Sequence, residues 1–273
     1  MKVSIIITTK NEGKNIQACL ESIQQQNFPA KDIEIIVVDN NSSDRTKEIA
    51  ERYTKKVFNK GPERSAQRNY GVQKCNGEWI LYLDADMTLH PDVIRDALIA
   101  VNRDEKLIAL YIREVVVGES FFAKVRRFER SFYDATVIDC VRVIRKDVFE
   151  KVGGFDTTMS GPEDWDFDKK IRAIGKTSLL TTPVYHNESE VTLTRYLKKK
   201  AYYSQSFATY IRKWGVDDPD VKKQLSPWYR YVGVFMENNR WKKVVAHPIL
   251  TIAMLTLRLL VGLTYLKVKG LGS

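Results

Sequence analysis

Residues Arg64–Met87, RSAQRNYGVQKCNGEWILYLDADM, decide the fold. They read as a helix, a tight turn at Asn76-Gly77 and a wholly apolar strand, Trp79–Leu83, that ends in Asp84-Ala85-Asp86. Residues two apart on a strand point to the same side, so the two carboxylates can address one site. Acids at the end of a buried strand are costly without a partner. A divalent cation bridging phosphates is the partner that explains them best, because Mg2+ and Mn2+ prefer hard oxygen ligands. The competing explanation is a strand-end turn whose aspartates only cap the next helix.

Working back towards the N-terminus, Lys2–Thr9 is an apolar, β-branched run that reads as a buried parallel strand closed by Thr8-Thr9-Lys10-Asn11-Glu12-Gly13. Ile16, Leu20 and Ile23 mark one face of the next helix. Ile33–Val38 is a second buried strand, followed by the cap-rich Asp39-Asn40-Asn41-Ser42-Ser43-Asp44 and a helix over Arg45–Tyr53. A short edge strand is expected near Val57, before the break at Gly61-Pro62. Strand, polar loop and helix in repetition predict right-handed βαβ units. Ligands of such sheets bind outside the carboxyl ends of the strands. The Thr8–Glu12 loop, Asp39 and Asp84/Asp86 all fall on that edge.

Towards the C-terminus, Pro91 is expected to start a helix that runs to about Val101. Leu107–Val117 and Thr136–Ile144 read as strands flanking a basic, aromatic helix, Phe121–Tyr133. A turn at Gly153-Gly154-Phe155-Asp156 precedes Gly161-Pro162-Glu163-Asp164-Trp165-Asp166-Phe167-Asp168. Glu163 and Asp164 there fall in the first turn of a helix to Ala173, where its dipole favours acids. A strand near Thr177–Leu180 leads through Pro183 to Tyr185-His186-Asn187-Glu188. Arg195–Trp214 is expected to be one helix, and Ile249–Leu266 is apolar apart from Arg258, three threonines, Gly262 and Tyr265.

Charge divides the chain at the same place. Of 273 residues with net charge +10, Met1–Thr194 holds 29 Lys and Arg against 30 Asp and Glu, whereas Arg195–Ser273 holds 15 against 4. The basic, apolar tail suits an anionic surface, a bilayer as readily as nucleic acid. Cys19, Cys75 and Cys140 show no CxxC spacing, which argues for a reducing compartment and against a zinc site. The opening MKVSIIITTKNE turns polar too early for a signal peptide, so cytosolic exposure is expected.

TTKNE after the first strand, VVDNNSSD after the second, SAQRNYG before NGEWILYLDADM, and VGGFD followed by GPEDWDF together resemble a family 2 glycosyltransferase of the GT-A fold. The resemblance covers about Met1 to Glu188 and is weak over the tail. It implies an α/β protein: a GT-A (Rossmann-like) mixed, mostly parallel sheet flanked by helices, with a helical, basic C-terminal extension. The catalytic domain would occupy 1–194, with a nucleotide-binding half over 1–105 and an acceptor-side half over 106–194, and the extension 195–273. The implied activity is transfer of a sugar, with inversion, from a nucleotide-diphosphate donor to a glycan or lipid-linked acceptor, assisted by Mn2+ or Mg2+. By position, Thr8, Asn11 and Glu12 would line the nucleoside pocket, Asp39 would bond the base or ribose, and Arg68 would lie against the nucleotide. Asp84 would contact the ribose or metal-bound water and Asp86 would hold the metal, joined by His186. Asp164 would be the general base, with Asp166 as its neighbouring rival. Physical chemistry supplies the reasons: cation and Arg68 offset charge on the leaving diphosphate, and a carboxylate opposite the donor takes the acceptor proton.

Each residue has a plainer reading too. Asp39 and the Glu163–Asp164 pair can serve as helix caps or dipole partners, His186 as a structural histidine and Arg68 as a surface helix residue. The Phe121–Tyr133 segment can shape an acceptor site or be a basic amphipathic helix. Ile249–Leu266 can just span a bilayer, but Arg258 near its centre costs about 2.5–3.5 kcal/mol. An in-plane helix anchored by Arg258, Lys267 and Lys269, at the inner face of the cell membrane, is expected rather than a full span, the competing reading being a helix packed on the catalytic domain or on another subunit. Two other functions compete. A nucleotidyltransferase wants a glycine-rich, basic loop after the first strand, which TTKNEG does not offer. A basic nucleic-acid-binding or scaffolding protein leaves the carboxylate rim unexplained, so no nucleic-acid partner is expected.

Overall fold

The computed structural model describes residues 2–270; Met1, the side chain of Lys269 and residues 271–273 lie outside the described set. In chain order the elements are β1 (Val3–Thr9), α1 (Ile16–Gln24), β2 (Ile33–Asp39), α2 (Thr46–Glu51), β3 (Val57–Asn59), α3 (Arg64–Lys74), β4 (Trp79–Asp84) and β5 (Met87–Leu89). They continue with α4 (Val93–Arg103), β6 (Leu107–Val117), α5 (Phe121–Arg130), β7 (Val143–Arg145), α6 (Lys146–Lys151), α7 (Glu163–Arg172) and β8 (Lys176–Asn187). The C-terminal extension comprises α8 (Leu193–Ser204), α9 (Phe207–Trp214), α10 (Pro219–Leu225), α11 (Val234–Met236), α12 (Trp241–Ala246) and α13 (Pro248–Gly270).

The strands form one sheet in the order β3-β2-β1-β4-β7-β6-β8-β5. β3, β2, β1 and β4 run parallel, as do β6 and β8, while β7 and β5 pair antiparallel with their neighbours. Every residue of β1 is buried, and alternation sorts its side chains to two faces. Ile5 and Ile7 join Val37, Leu81 and Leu83 under α1 and α4. Ile6 joins Ile36, Val38, Ile80 and Tyr82 under α3, α6 and α7. Fully burying such a side chain is worth about 1.5–3 kcal/mol, so both faces must be covered. Gly71 makes the α3 cover possible, because a Cβ there would strike Ile6.

Four expectations need correction. Thr136–Ile144 is not a strand until Val143: Thr136 and Asp139 close turns onto Tyr133 and Thr136, and the Asp139 carboxylate bonds Arg130 at 2.7 Å and the Ala135 amide at 2.8 Å. A buried acid with those partners holds the segment in turns. Pro183 does not end a short strand but lies within the long β8, where a register shift between Ile112 and Glu114 of β6 absorbs its missing N–H. The helix after Pro91 begins two residues later, at Val93. The single helix expected over Arg195–Trp214 is two helices, broken where the Ser206 hydroxyl accepts the Ser160 amide at 3.0 Å.

A third core joins the extension to α5. Val125, Phe128 and Phe132 pack with Tyr196, Tyr229, Phe235, Met254 and Leu257. α13 therefore buries one side against the rest of the chain. Its other side leaves Ile249, Ile252, Leu259, Leu263 and Leu266 exposed.

Candidate active site

The carboxyl ends of β1, β2 and β4 meet along one rim, and two polar loops are laced together beside it. The Asn11 amide donates to Ser42 Oγ at 2.7 Å, and Asn11 Oδ1 accepts from the Ser43 amide at 2.8 Å. Asn11 and Asn41 adopt φ values of 55° and 50°, a region asparagine tolerates. The Glu12 amide donates to Thr46 Oγ1 at 2.8 Å, and the Glu12 carboxylate is held by Asn15 at 2.7 Å. Burial raises the Glu12 carboxyl, and the charges of Asp86 and Asp84 add to the rise, so Glu12 shares their field. Asp39 is 1% exposed and bonds the amide and hydroxyl of Ser42. Its carboxylate is committed to its own loop in this structure.

The centre of the rim is built on Arg68. Although expected against the nucleotide, it is 2% exposed and lies beneath the acids. Its guanidinium sits over the rings of Tyr82 and Phe155, at 4.5 and 4.9 Å, and bonds Asp164 at 2.7 Å and Asp84 at 3.3 Å. One planar fork thus holds two acids that are 80 residues apart in sequence. Asp84 also accepts from Thr8 Oγ1 at 3.0 Å and pairs with Arg64 at 3.5 Å. Burial alone would raise the Asp84 carboxyl, but Arg68 and then Arg64 hold it well below the usual carboxylate range.

The three acids of the first turn of α7 differ sharply in access. The Asp164 side chain is 32% exposed, while those of Glu163 and Asp166 are 2% and 0% exposed. Asp166 bonds Trp214 Nε1 at 2.9 Å and pairs with Lys213 at 2.8 Å. Glu163 pairs with Arg64 at 3.2 Å and leaves Oε2 buried without a partner. Burial, reinforced by Asp164, pushes the Glu163 carboxyl up to about 7. Only Asp164 of the three can meet an incoming molecule. Gly161, at φ 104°, carries the chain into this turn, and a Cβ there would strike Tyr203 of α8.

Asp86 and His186 meet because β5 pairs with β8, Met87 opposite His186. His186 Nδ1 lies 3.0 Å from Glu114, and Nε2 lies 3.2 Å from Asp86 Oδ2. Burial lowers the imidazole, but the bonds to Asp86 and Glu114 outweigh it and hold it up at about 10. With Nδ1–H given to Glu114, the Nε2 lone pair faces a carboxylate oxygen, an arrangement that requires a proton or a cation between them. Asp86 Oδ1 is also buried with no partner. A carboxylate facing an imidazole that a further carboxylate holds from behind is a donor set that fits Mn2+. Among the described residues no three His, Cys, Asp or Glu side chains form a metal cluster, so the protein would supply a pair and substrate or water the rest.

Sequence reasoning gave no site role to Glu114, Glu188 or Arg64, and read Glu163 only as the helix-turn partner of Asp164. Glu114 carried a signal: it is the one acid in the apolar strand LIALYIREVVV. A pocket lined in part by Lys2, Glu34, Lys56 and Gly77 lies at the amino ends of β1 and β2, away from these acids.

The sheet order and the placement of the acids define a GT-A glycosyltransferase fold, and solved structures share it. The chain superposes on the Pyrobaculum calidifontis mannosyltransferase PcManGT, in complex with GDP-Man and Mn2+, with a TM-score of 0.62 and 20% identity, covering 99% of this chain and 86% of that one. Residues 1–349 of Staphylococcus aureus TarS, in complex with UDP-GlcNAc, give 0.57 at 20% identity, covering 93% and 79%. The chain belongs to glycosyl transferase family 2, whose description matches residues 4–153. It is 27% identical over 212 residues to the poly(ribitol-phosphate) beta-N-acetylglucosaminyltransferase TarS of S. aureus, covering 74% of this chain and 35% of that protein. Glycosyltransferase AglE of Haloferax volcanii is 37% identical over 95 residues, 32% of this chain and 31% of the relative. The chain thus spans about a third of the length of these relatives.

Proposed function

We propose that this chain is an inverting, divalent-metal-assisted glycosyltransferase that moves a sugar from a nucleotide diphosphate to a hydroxyl of a glycan or lipid-linked acceptor. The observation that carries the reading is the Arg68 bridge, which ties the accessible Asp164 to Asp84 on the donor rim. The nucleotide sugars named with TarS and PcManGT support a donor of this chemical class.

Thr8, Asn11 and Glu12 would line the nucleoside end, Asp39 would reach the base or ribose by exchanging its Ser42 bonds for those of the ligand, and Asp84 would face the ribose. Asp86 and His186 would hold Mn2+ or Mg2+, which when bound offsets negative charge on the leaving diphosphate. The acceptor oxygen attacks the anomeric carbon opposite the diphosphate. Its bond forms as the bond to the diphosphate breaks, and the hydroxyl proton passes to Asp164. Arg68 fixes the direction of Asp164 and, through Asp84, the floor beneath the donor. Exchanging Asp164 for Asn keeps an oxygen for Arg68 but removes the proton acceptor. Asp164→Asn should therefore lower transfer at least about 100-fold with nucleotide-diphosphate binding nearly intact. A variant with wild-type turnover would overturn the assignment.

We also place the protein on the inner surface of an anionic membrane. The exposed apolar side of α13 supports this, and Lys267 beside it is exposed. By length and composition Pro248–Val268 is long and apolar enough to cross a bilayer. However, its buried side, packed on α5 and α8, favours a helix lying in the membrane plane. Arg258, expected to face lipid headgroups, points inward instead, because Glu129 and Tyr133 supply its partners. The matching expectation for Lys269 falls outside the described residues.

A further inference from the structure

A line of buried charges runs from α13 to the metal side of the site. Arg258 of α13 is 7% exposed and its Nε lies 3.2 Å from Glu129 Oε1. The same guanidinium donates to Tyr133 Oη at 3.3 Å and to the Arg230 carbonyl. Tyr133 Oη in turn donates to Glu129 at 2.6 Å. The other oxygen of Glu129 pairs with Arg126, whose Nε and Nη2 grip Glu188 at 3.1 and 3.2 Å. Tyr196 of α8 covers the Arg126 guanidinium at 4.5 Å. Glu188 Oε1 lies 4.0 Å from His186 Nδ1, and His186 faces Asp86. Arg126, Glu129 and Glu188 are 8%, 3% and 4% exposed, so solvent screens little of this line.

Its charges alternate: Arg258, Glu129, Arg126, Glu188. Arg126 is shared between two glutamates, and Arg258 takes part of the demand of Glu129. Without Arg258, a buried carboxylate is left to draw Arg126 towards itself and away from Glu188. Glu188 directly follows β8, which carries His186, and its amide donates to the Val117 carbonyl at 3.0 Å. A loosened Glu188 therefore acts on the end of β8 that carries His186, whose Nδ1 is also held by Glu114 at 3.0 Å.

We propose that Arg258 is a positioning residue: by neutralising Glu129 it leaves Arg126 free to fix Glu188 and His186, so that docking of α13 sets the cation affinity of the Asp86–His186 pair. This rests on the metal role proposed for that pair. Outer partners of metal ligands commonly change affinity when removed, and here the outer partner belongs to the membrane-facing helix. A protein with α13 pulled away would hold its cation poorly.

The test titrates MnCl2 into the 273-residue chain with UDP and, in parallel, GDP, and follows free Mn2+ by electron paramagnetic resonance. Wild type and Asp86→Ala come first. If wild type binds no Mn2+, the functional reading falls and this inference with it; if wild type binds and Asp86→Ala does not, the remaining variants judge the coupling alone. Arg258→Met keeps the apolar stem and should weaken Mn2+ binding about 10-fold. Glu129→Gln with Arg258→Met removes the stranded carboxylate and should restore affinity to near wild type. Glu129→Gln alone should bind at least as tightly as wild type, and it tests the idea even if Arg258→Met does not fold. A helix that matters only for packing predicts no rescue. Wild-type affinity in Arg258→Met, a double variant as weak as the single one, or a loss in Glu129→Gln would each overturn the inference.

Discussion

Arg68 shows what a single residue decides here. An arginine on a helix behind a strand-end acid can be read as a ligand contact, yet its burial makes it a strut between Asp84 and Asp164. Exposure could not be read from a single helix position, because the covering rings, Tyr82 and Phe155, come from a strand and a distant turn. Glu163 offers a prediction of its own. Its ordinary value is 4.5 and burial lifts it to about 7, so the folded state keeps the proton more firmly than the unfolded chain. That contribution to stability is whole below the ordinary value and is lost as pH rises through about 7. Asp168, lifted to about 6 by burial, titrates in any variant of Glu163 and cancels in the comparison. Relative to wild type, Glu163→Gln should gain about 2–6 °C in melting temperature between pH ~5 and pH ~8. Parallel melting curves over that range would contradict it.

Among the elements, β1, β2, β4 and α3 were legible because local pattern and tertiary role agree in them. Apolar runs became the buried parallel strands, and SAQRNYG became the helix that covers them. The second half was less legible for a physical reason. Thr136–Ile144 has strand-like residues but is bent by a buried Asp139, and β8 runs through a proline because its neighbour takes up the shift. Both outcomes depend on partners remote in sequence. α13 shows the same limit: Arg258 reads as a headgroup contact until Glu129 of α5 is placed beside it. The outer side of α13 exposes Ile249, Ile252, Leu259, Leu263 and Leu266, the apolar surface that the proposed membrane contact would use. Deleting 248–273 should release the chain from anionic liposomes in a sedimentation assay, and unchanged pelleting would refute the anchor.

For the whole molecule, Asp84 closes β4 on the rim of β1, β2 and β4, the first turn of α7 brings Asp164 to it, and β8 brings His186 beside Asp86. The metal candidates Asp86 and His186 were legible as residue types, the first from its strand-end spacing and the second from family resemblance. Their meeting was not legible, because it needs the antiparallel pairing of β5 with β8. Glu114, which orients His186, could be suspected only as a lone acid in an apolar strand. The central claim is that this assembled pair holds a cation that secures a nucleotide-diphosphate sugar. The most direct measurement is thermal stabilisation by a panel of UDP-, GDP- and dTDP-sugars, with Mn2+ or with EDTA, for wild type and Asp86→Ala. The account predicts that at least one nucleotide sugar raises the wild-type melting temperature with Mn2+, and that EDTA or Asp86→Ala abolishes the shift. An equal shift in EDTA and in Asp86→Ala, or no shift with any nucleotide sugar, would contradict it.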